Sequence, residues 1–182
     1  FSEATKTSIF IFQRKRAILE NIGLPKADFF IAQVASKFWG FFINFLIYIV
    51  FAIFIFKVTY SWVIIYTIPI FISLYLISLG VSFFLATWYI YLRDLDQIWS
   101  IILLAGFWSV PIIWSYDFIY DSYPFMLYNP LTCLLINIRQ VTLHNQIPDL
   151  KALTYALFCS IVITIAGYYF MKYKSKKAME FL

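Results

Sequence analysis

Charged residues are confined to a few short stretches of this 182-residue chain, and long uncharged runs separate them. Residues 38–56, 58–92, 97–116, 122–138 and 152–171 contain no Asp, Glu, Lys or Arg. A hydrocarbon core of about 30 Å is crossed by about 20 helical residues at about 1.5 Å each, so most of these runs are long enough to span it. FWGFFINFLIYIVFAIFIF (38–56) is apolar on every side, whereas a barrel strand alternates apolar and polar residues over about ten positions. A β-barrel is excluded, and the pattern predicts an all-α, polytopic membrane helical bundle. Its membrane helices are predicted at 29–56, 64–91, 98–114 and 153–171. The run 58–92 is too short for two spans, which need about 40 residues plus a turn. One tilted helix with an interfacial lead-in at Trp62 fits it better.

The polar punctuation is as informative. In FSEATKTSIFIF (1–12), Glu3 and Lys6 interrupt the apolar run, so the segment is ambiguous on its own. The two charges are three residues apart and can pair on one helix face. QRKRAILENIGLPKAD (13–28) is polar and basic, with Gly23 and Pro25 to break a helix. Lys37, near the start of the first certain span, can snorkel to the interface. RDLDQ (93–97) is a short break in which Asp94 or Asp96 is placed to cap the next helix. Regularity fails over 115–146, which holds Pro124, Pro130 and the Asn129-Pro130 turn signal. The uncharged part, 122–138, is a poor spanning helix, and a pair of re-entrant half-helices dipping in from the outer side accounts for it better. Residues 172–182 form a polar tail.

Composition removes whole classes of function. The chain is 63% hydrophobic and 13% charged, against about 45–50% and about 25% in soluble domains. A soluble enzyme, a DNA-binding module and a disulfide-stapled secreted domain are ruled out. Segments 13–28, 92–97 and 172–182 carry nine Lys and Arg, and segments 57–61 and 116–151 carry three. The positive-inside rule then makes the basic side, with the C-terminus, cytoplasmic. The net charge of +5 is met by these anchoring residues and needs no nucleic acid. Trp39, Trp62, Trp88, Trp99 and Trp114 fall near span ends, as an aromatic belt requires. Cys133 and Cys159 read as small buried hydrophobes. The chain opens on Phe1 with no signal-peptide pattern and reads as the tail of a longer protein.

Catalytic chemistry has little to stand on. The single histidine, His144, reads as a solvated loop residue. With five glycines and no Gly-Lys pair, the chain carries no phosphate-binding loop, so ATP-driven work would need a nucleotide site on another chain.

Four pieces carry a resemblance to a known family: FSEATKTSIFIFQRKRAILENIGLPKADFF (1–30), LGVSFFLATWYIYLRDLDQI (79–98), FWSVPIIWS (107–115) and LYNPLTCLLINIRQV (127–141). In this order the chain resembles the permease subunit of type 2 ABC exporters, in the branch that moves polysaccharides, O-antigen and teichoic acids. It departs from the pattern at Val110, where relatives usually have Ser before Pro111. The resemblance implies an N-terminally truncated permease that enters partway along the family's second helix, making residues 1–12 the end of a membrane helix. It implies a homodimer in the cytoplasmic membrane of a bacterium or archaeon, with no cofactor of its own, since ATP and Mg sit on a partner ATPase.

Site expectations follow. Residues 13–28 are expected to be the segment that docks on the ATPase, through Glu20, Asn21, Leu24 and Pro25. Arg93 and Asp94 are candidates for an inner gate, and Asn129, Pro130 and Arg139 for an outer one. Sugars stack their apolar faces on aromatic rings, which makes Trp88, Tyr89, Tyr91, Trp108 and Trp114 candidate path contacts. An exporter of drugs or lipids is the alternative within transport. A membrane-embedded glycosyl- or acyltransferase using His144 and Asp149 is the rival from another class.

Overall fold

The computed structural model describes residues 1–15, 25–55, 57–112 and 124–178, and every element in them is helical. In chain order these are α1 (Ser2–Ile9), α2 (Ile11–Arg14), α3 (Lys26–Phe54), a 3-10 turn (Trp62–Tyr66) running into α4 (Thr67–Tyr89), α5 (Leu95–Ser109), a second 3-10 turn (Pro124–Tyr128), α6 (Pro130–Thr142) and α7 (Leu150–Ala178). Among the described residues three stretches are long and apolar enough to cross a membrane: Lys26–Phe54, Trp62–Tyr89 and Leu150–Lys174. Their surroundings differ sharply. The most apolar part of Trp62–Tyr89 is 56% buried within the chain, against 22% for Leu150–Lys174 and 6% for Lys26–Phe54.

α4 is therefore the centre, and its largest interface is with α7. Small residues permit the close approach. A Cβ added at Gly80 would lie 2.7 Å from the backbone of both Ile163 and Thr164, and one at Gly167 would strike the Gly80 carbonyl. Helices in lipid associate through such small-residue contacts and through hydrogen bonds between them. Here the Thr164 hydroxyl donates to the Leu76 carbonyl at 2.7 Å. Ser73, Ser78, Ser82 and Thr87 are buried along α4, each donating to the carbonyl four residues earlier.

The other elements pack around α4 with aromatic contacts. Phe30 of α3 lies between Phe12 of α2 and Phe83 of α4, at 5.5 and 5.1 Å between ring centres. Farther along, Phe41 and Phe45 of α3 meet Phe71 of α4 edge-on at 5.2 and 4.7 Å. Beyond these, α3 exposes Phe51, Ile53 and Phe54, a surface suited to lipid. At one end of the bundle the links are tied together: Asn145 accepts from the Ser61 amide and donates to the Thr59 carbonyl.

Several boundaries differ from those expected. α5 stops at Ser109 rather than 114, because Pro111 favours extended backbone before it, and Val110 adopts ψ 135°. α7 runs on to Ala178, since the lysines after Met171 end the apolar stretch without opposing a helix. Residues 1–14 form two helical pieces with a break at Phe10. Glu3 does not pair with Lys6. It accepts from Lys37 of α3 at 3.0 Å.

Candidate functional site

A cleft of about 850 Å³ opens between α1, α3, α4, α5 and α6. Its walls are mainly aliphatic and aromatic, with Phe41, Phe45, Phe71, Trp99 and Phe107 among them and Ser2, Lys6, Ser100 and Asn129 as polar members. The cleft exists because α5 stands away from the bundle. Leu95 is its one buried residue, and it is held to α1 by the Trp99 indole N–H, which donates to Thr5 Oγ1 at 3.0 Å. Trp99 also meets the ring of Phe1 at 6.4 Å.

α6 forms the opposite wall. Asn129 caps it, its side chain accepting from the Leu131 amide at 3.0 Å, and Pro130 takes the first helical position, where no amide hydrogen is needed. With 13 residues α6 reaches about 20 Å, short of a membrane crossing. It is tucked against α4 and α7 with Thr132, Cys133, Leu134, Asn137 and Val141 buried on one face. The Arg139 guanidinium donates to the Ile112 carbonyl, tying α6 to the end of α5. Of the preceding half of the expected re-entrant pair, 115–123 lie outside the described residues and the rest is the 3-10 turn Pro124–Tyr128.

The other expected site residues are dispersed. Glu20, Asn21, Leu24 and Trp114 lie outside the described residues. Pro25 is exposed immediately before α3. Arg93 and Asp94 are exposed in the link between α4 and α5 and form no ion pair with each other. Asp94 occupies the cap position of α5, yet its side chain accepts from no amide there. Trp88 packs edge-on against Phe170 of α7, whereas Tyr89 packs on Phe10, so the two neighbours face different elements. Tyr91 and Trp108 are exposed. Trp99 and Phe107 line the cleft and were not among the expected path residues. Between Ser100 and Ser109 α5 is apolar throughout, so that part of its sequence does not reveal which face looks inward.

Among the described residues His144 and Asp149 are not brought together into a catalytic arrangement. His144 is exposed. The Asp149 carboxylate accepts from the Lys151 and Ala152 amides, the work of a helix cap on α7. Among the described residues no group of three or more His, Cys, Asp or Glu could hold a metal ion. What the geometry offers is a cleft between helices, bordered by one short helix and one loosely attached helix.

No protein-family model matches the chain. Two proteins of Klebsiella pneumoniae, each named O-antigen export system permease protein RfbA, are 22% identical to it over 169 and 171 residues, 92% of this chain in each case. The chain spans 64% of the length of each of these relatives. The similarity is consistent with the resemblance to type 2 ABC permeases that the four sequence motifs carry.

Proposed function

We propose that this chain forms the membrane-spanning part of the permease of an ABC exporter that moves a polysaccharide, with ATP hydrolysed by a separate subunit. The observation that carries this reading is the similarity, over 92% of the chain, to two O-antigen export permeases. The arrangement of three spanning helices with the short, buried α6 between α4 and α7 supports it. The proposed cargo is a lipid-linked or anionic glycan of the O-antigen, capsule or teichoic acid type. The proposed working unit is a homodimer in the cytoplasmic membrane, because the three spanning helices among the described residues are too few to enclose a wide path. In this reading residues 13–28 dock on the ATPase through Glu20, Asn21, Leu24 and Pro25, the C-terminus is cytoplasmic, and Asn129, Pro130 and Arg139 belong to an outer gate.

The test is copurification. Co-expressed with its partner ATPase, the full-length permease is expected to purify as a two-to-two complex, and alone it is expected to hydrolyse no ATP. Glu20→Arg should lose the bound ATPase while still inserting in the membrane. ATP hydrolysis by the isolated chain, or an undiminished complex with Glu20→Arg, would overturn the assignment or the docking segment respectively.

A further inference from the structure

A second hollow lies on the other side of α6 from the cleft. Leu131, Leu134, Leu135 and Ile138 of α6 face the cleft, whereas Cys133, Ile136 and Gln140 line a cavity of about 290 Å³ against α7. Each set repeats at helical spacing, so the short helix stands as a partition between the two hollows. Asp149, Ala152 and Tyr155 close the cavity from the α7 side. They are three residues apart and share one face of that helix and its cap. The methyl of Ala152 fills little of the gap between the helices.

An apolar lining with a few convergent polar groups is the make-up of a small-molecule site. The polar groups are held in place. The Asp149 amide donates to Asn137 Oδ1 at 2.9 Å and to Gln140 Oε1 at 3.2 Å, so Asp149 is fastened to α6 twice, once by a fully buried side chain. Asp149 Oδ1 is taken by the Lys151 and Ala152 amides. Its Oδ2 and the amino group of Gln140 enter no hydrogen bond among the described residues. The Tyr155 hydroxyl donates to the Tyr128 carbonyl at 2.9 Å, and its oxygen can still accept. Tyr128 borders the cavity as well. Asp149 immediately precedes the spanning stretch Leu150–Lys174, which puts these groups at a membrane boundary, within reach of the aqueous phase.

We propose that this cavity binds one neutral sugar ring. A hydroxyl both donates and accepts, so neighbouring ring hydroxyls can give a hydrogen bond to Asp149 Oδ2 and take one from the Gln140 amino group. The apolar C–H face of the ring suits a border that includes Tyr128 and Tyr155. At about 290 Å³ the cavity is just below the range of about 300–1,000 Å³ that holds drug-sized ligands, which is room for a single ring and not for a longer piece of a polymer. The carboxylate on its wall disfavours a uronic acid or a phosphate by like-charge repulsion. That the ring belongs to an exported glycan rests on the function proposed above, whereas the chemistry of the cavity does not.

The experiment is saturation-transfer NMR on the full-length protein in detergent, with methyl glucoside, methyl galactoside and methyl glucuronide as probes. Transfer is expected to at least one neutral glycoside and not to the glucuronide. Ala152→Phe, which fills the cavity, is expected to abolish it. Gln140→Leu is expected to weaken binding about tenfold, the loss of one well-placed hydrogen bond, while Asn137 still holds the Asp149 amide. Asp149→Asn keeps the cap of α7, since Asn accepts there as Asp does, and is expected to admit the glucuronide. A merely structural role would not produce that change of selectivity. Size-exclusion elution identical to the parent's marks the variants that are folded. No transfer to either neutral glycoside, or undiminished transfer with Ala152→Phe, would overturn the proposal, and equal transfer to the parent's glucuronide and glucoside would overturn its selectivity for a neutral ring. Binding is read without an ATPase. A permease that binds the glycosides and retains no ATPase therefore fails only the exporter reading, and one that retains the ATPase without binding them fails only this proposal.

Discussion

Gly80 is packed against backbone atoms of α7 that cannot rotate away, with 2.7 Å available to a Cβ where ordinary contact needs more than 3.4 Å. Gly106 of α5 has nothing within 4 Å of that position. The same substitution should therefore have opposite signs at the two sites. Gly80→Ala is expected to cost about 1–3 kcal/mol through overpacking. Gly106→Ala is expected to stabilise by up to about 1 kcal/mol through helix propensity. Thermal denaturation of the purified protein in detergent checks both, and a Gly80→Ala variant as stable as the parent would mean that α4 and α7 do not meet there. Each glycine is visible in the sequence as a small residue in an apolar run. Their juxtaposition is not, because nothing local links positions so far apart in the chain.

Among the elements, α1 and α3 are joined by an ion pair between Glu3 and Lys37. Reversing one partner should separate the helices, and exchanging both should rejoin them. Glu3→Lys is accordingly expected to lower the amount of monodisperse protein in size-exclusion chromatography several-fold, and Glu3→Lys with Lys37→Glu to recover it. Equal loss in the single and double variants would show that the pair does not hold α1. Helix existence and type were legible at this scale, since uncharged runs mark what can cross a membrane. The start of α6 was legible, since Asn129-Pro130 marks a turn, whereas the end of α5 was placed at 114 although Pro111 carries the backbone rule that stops it at Ser109. Helix ends were misplaced where polarity stood in for geometry, as at Met171, where the apolar stretch stops and α7 does not. The partner of Glu3 was misassigned for a related reason: helix spacing indicates which residues share a face, not which neighbouring helix lies nearer.

Across the whole molecule, the candidate site was only partly readable. The turn at Asn129-Pro130 and the tie of Arg139 come from residues singled out in the sequence, whereas the cleft is lined in part by Trp99 and Phe107, on a helix whose later turns are all apolar and do not mark an inward face. The proposed outer gate makes a claim at this scale. Cysteines scanned from Leu127 to Arg139 should label from outside the cell with reactivity falling with depth, and the pattern should change when ATP hydrolysis is blocked. Labelling from the cytoplasmic side would overturn the orientation and the gate together. The pairing of α4 with α7 has a consequence for biogenesis. Thr164 and Leu76 are 88 residues apart, so α4 enters the membrane well before the helix that covers it has been translated. Through that interval its serines need no neighbour, because each is already bonded to a carbonyl of α4 itself. The centre of the bundle is thus provisioned to wait in lipid, and the arrival of α7 completes it.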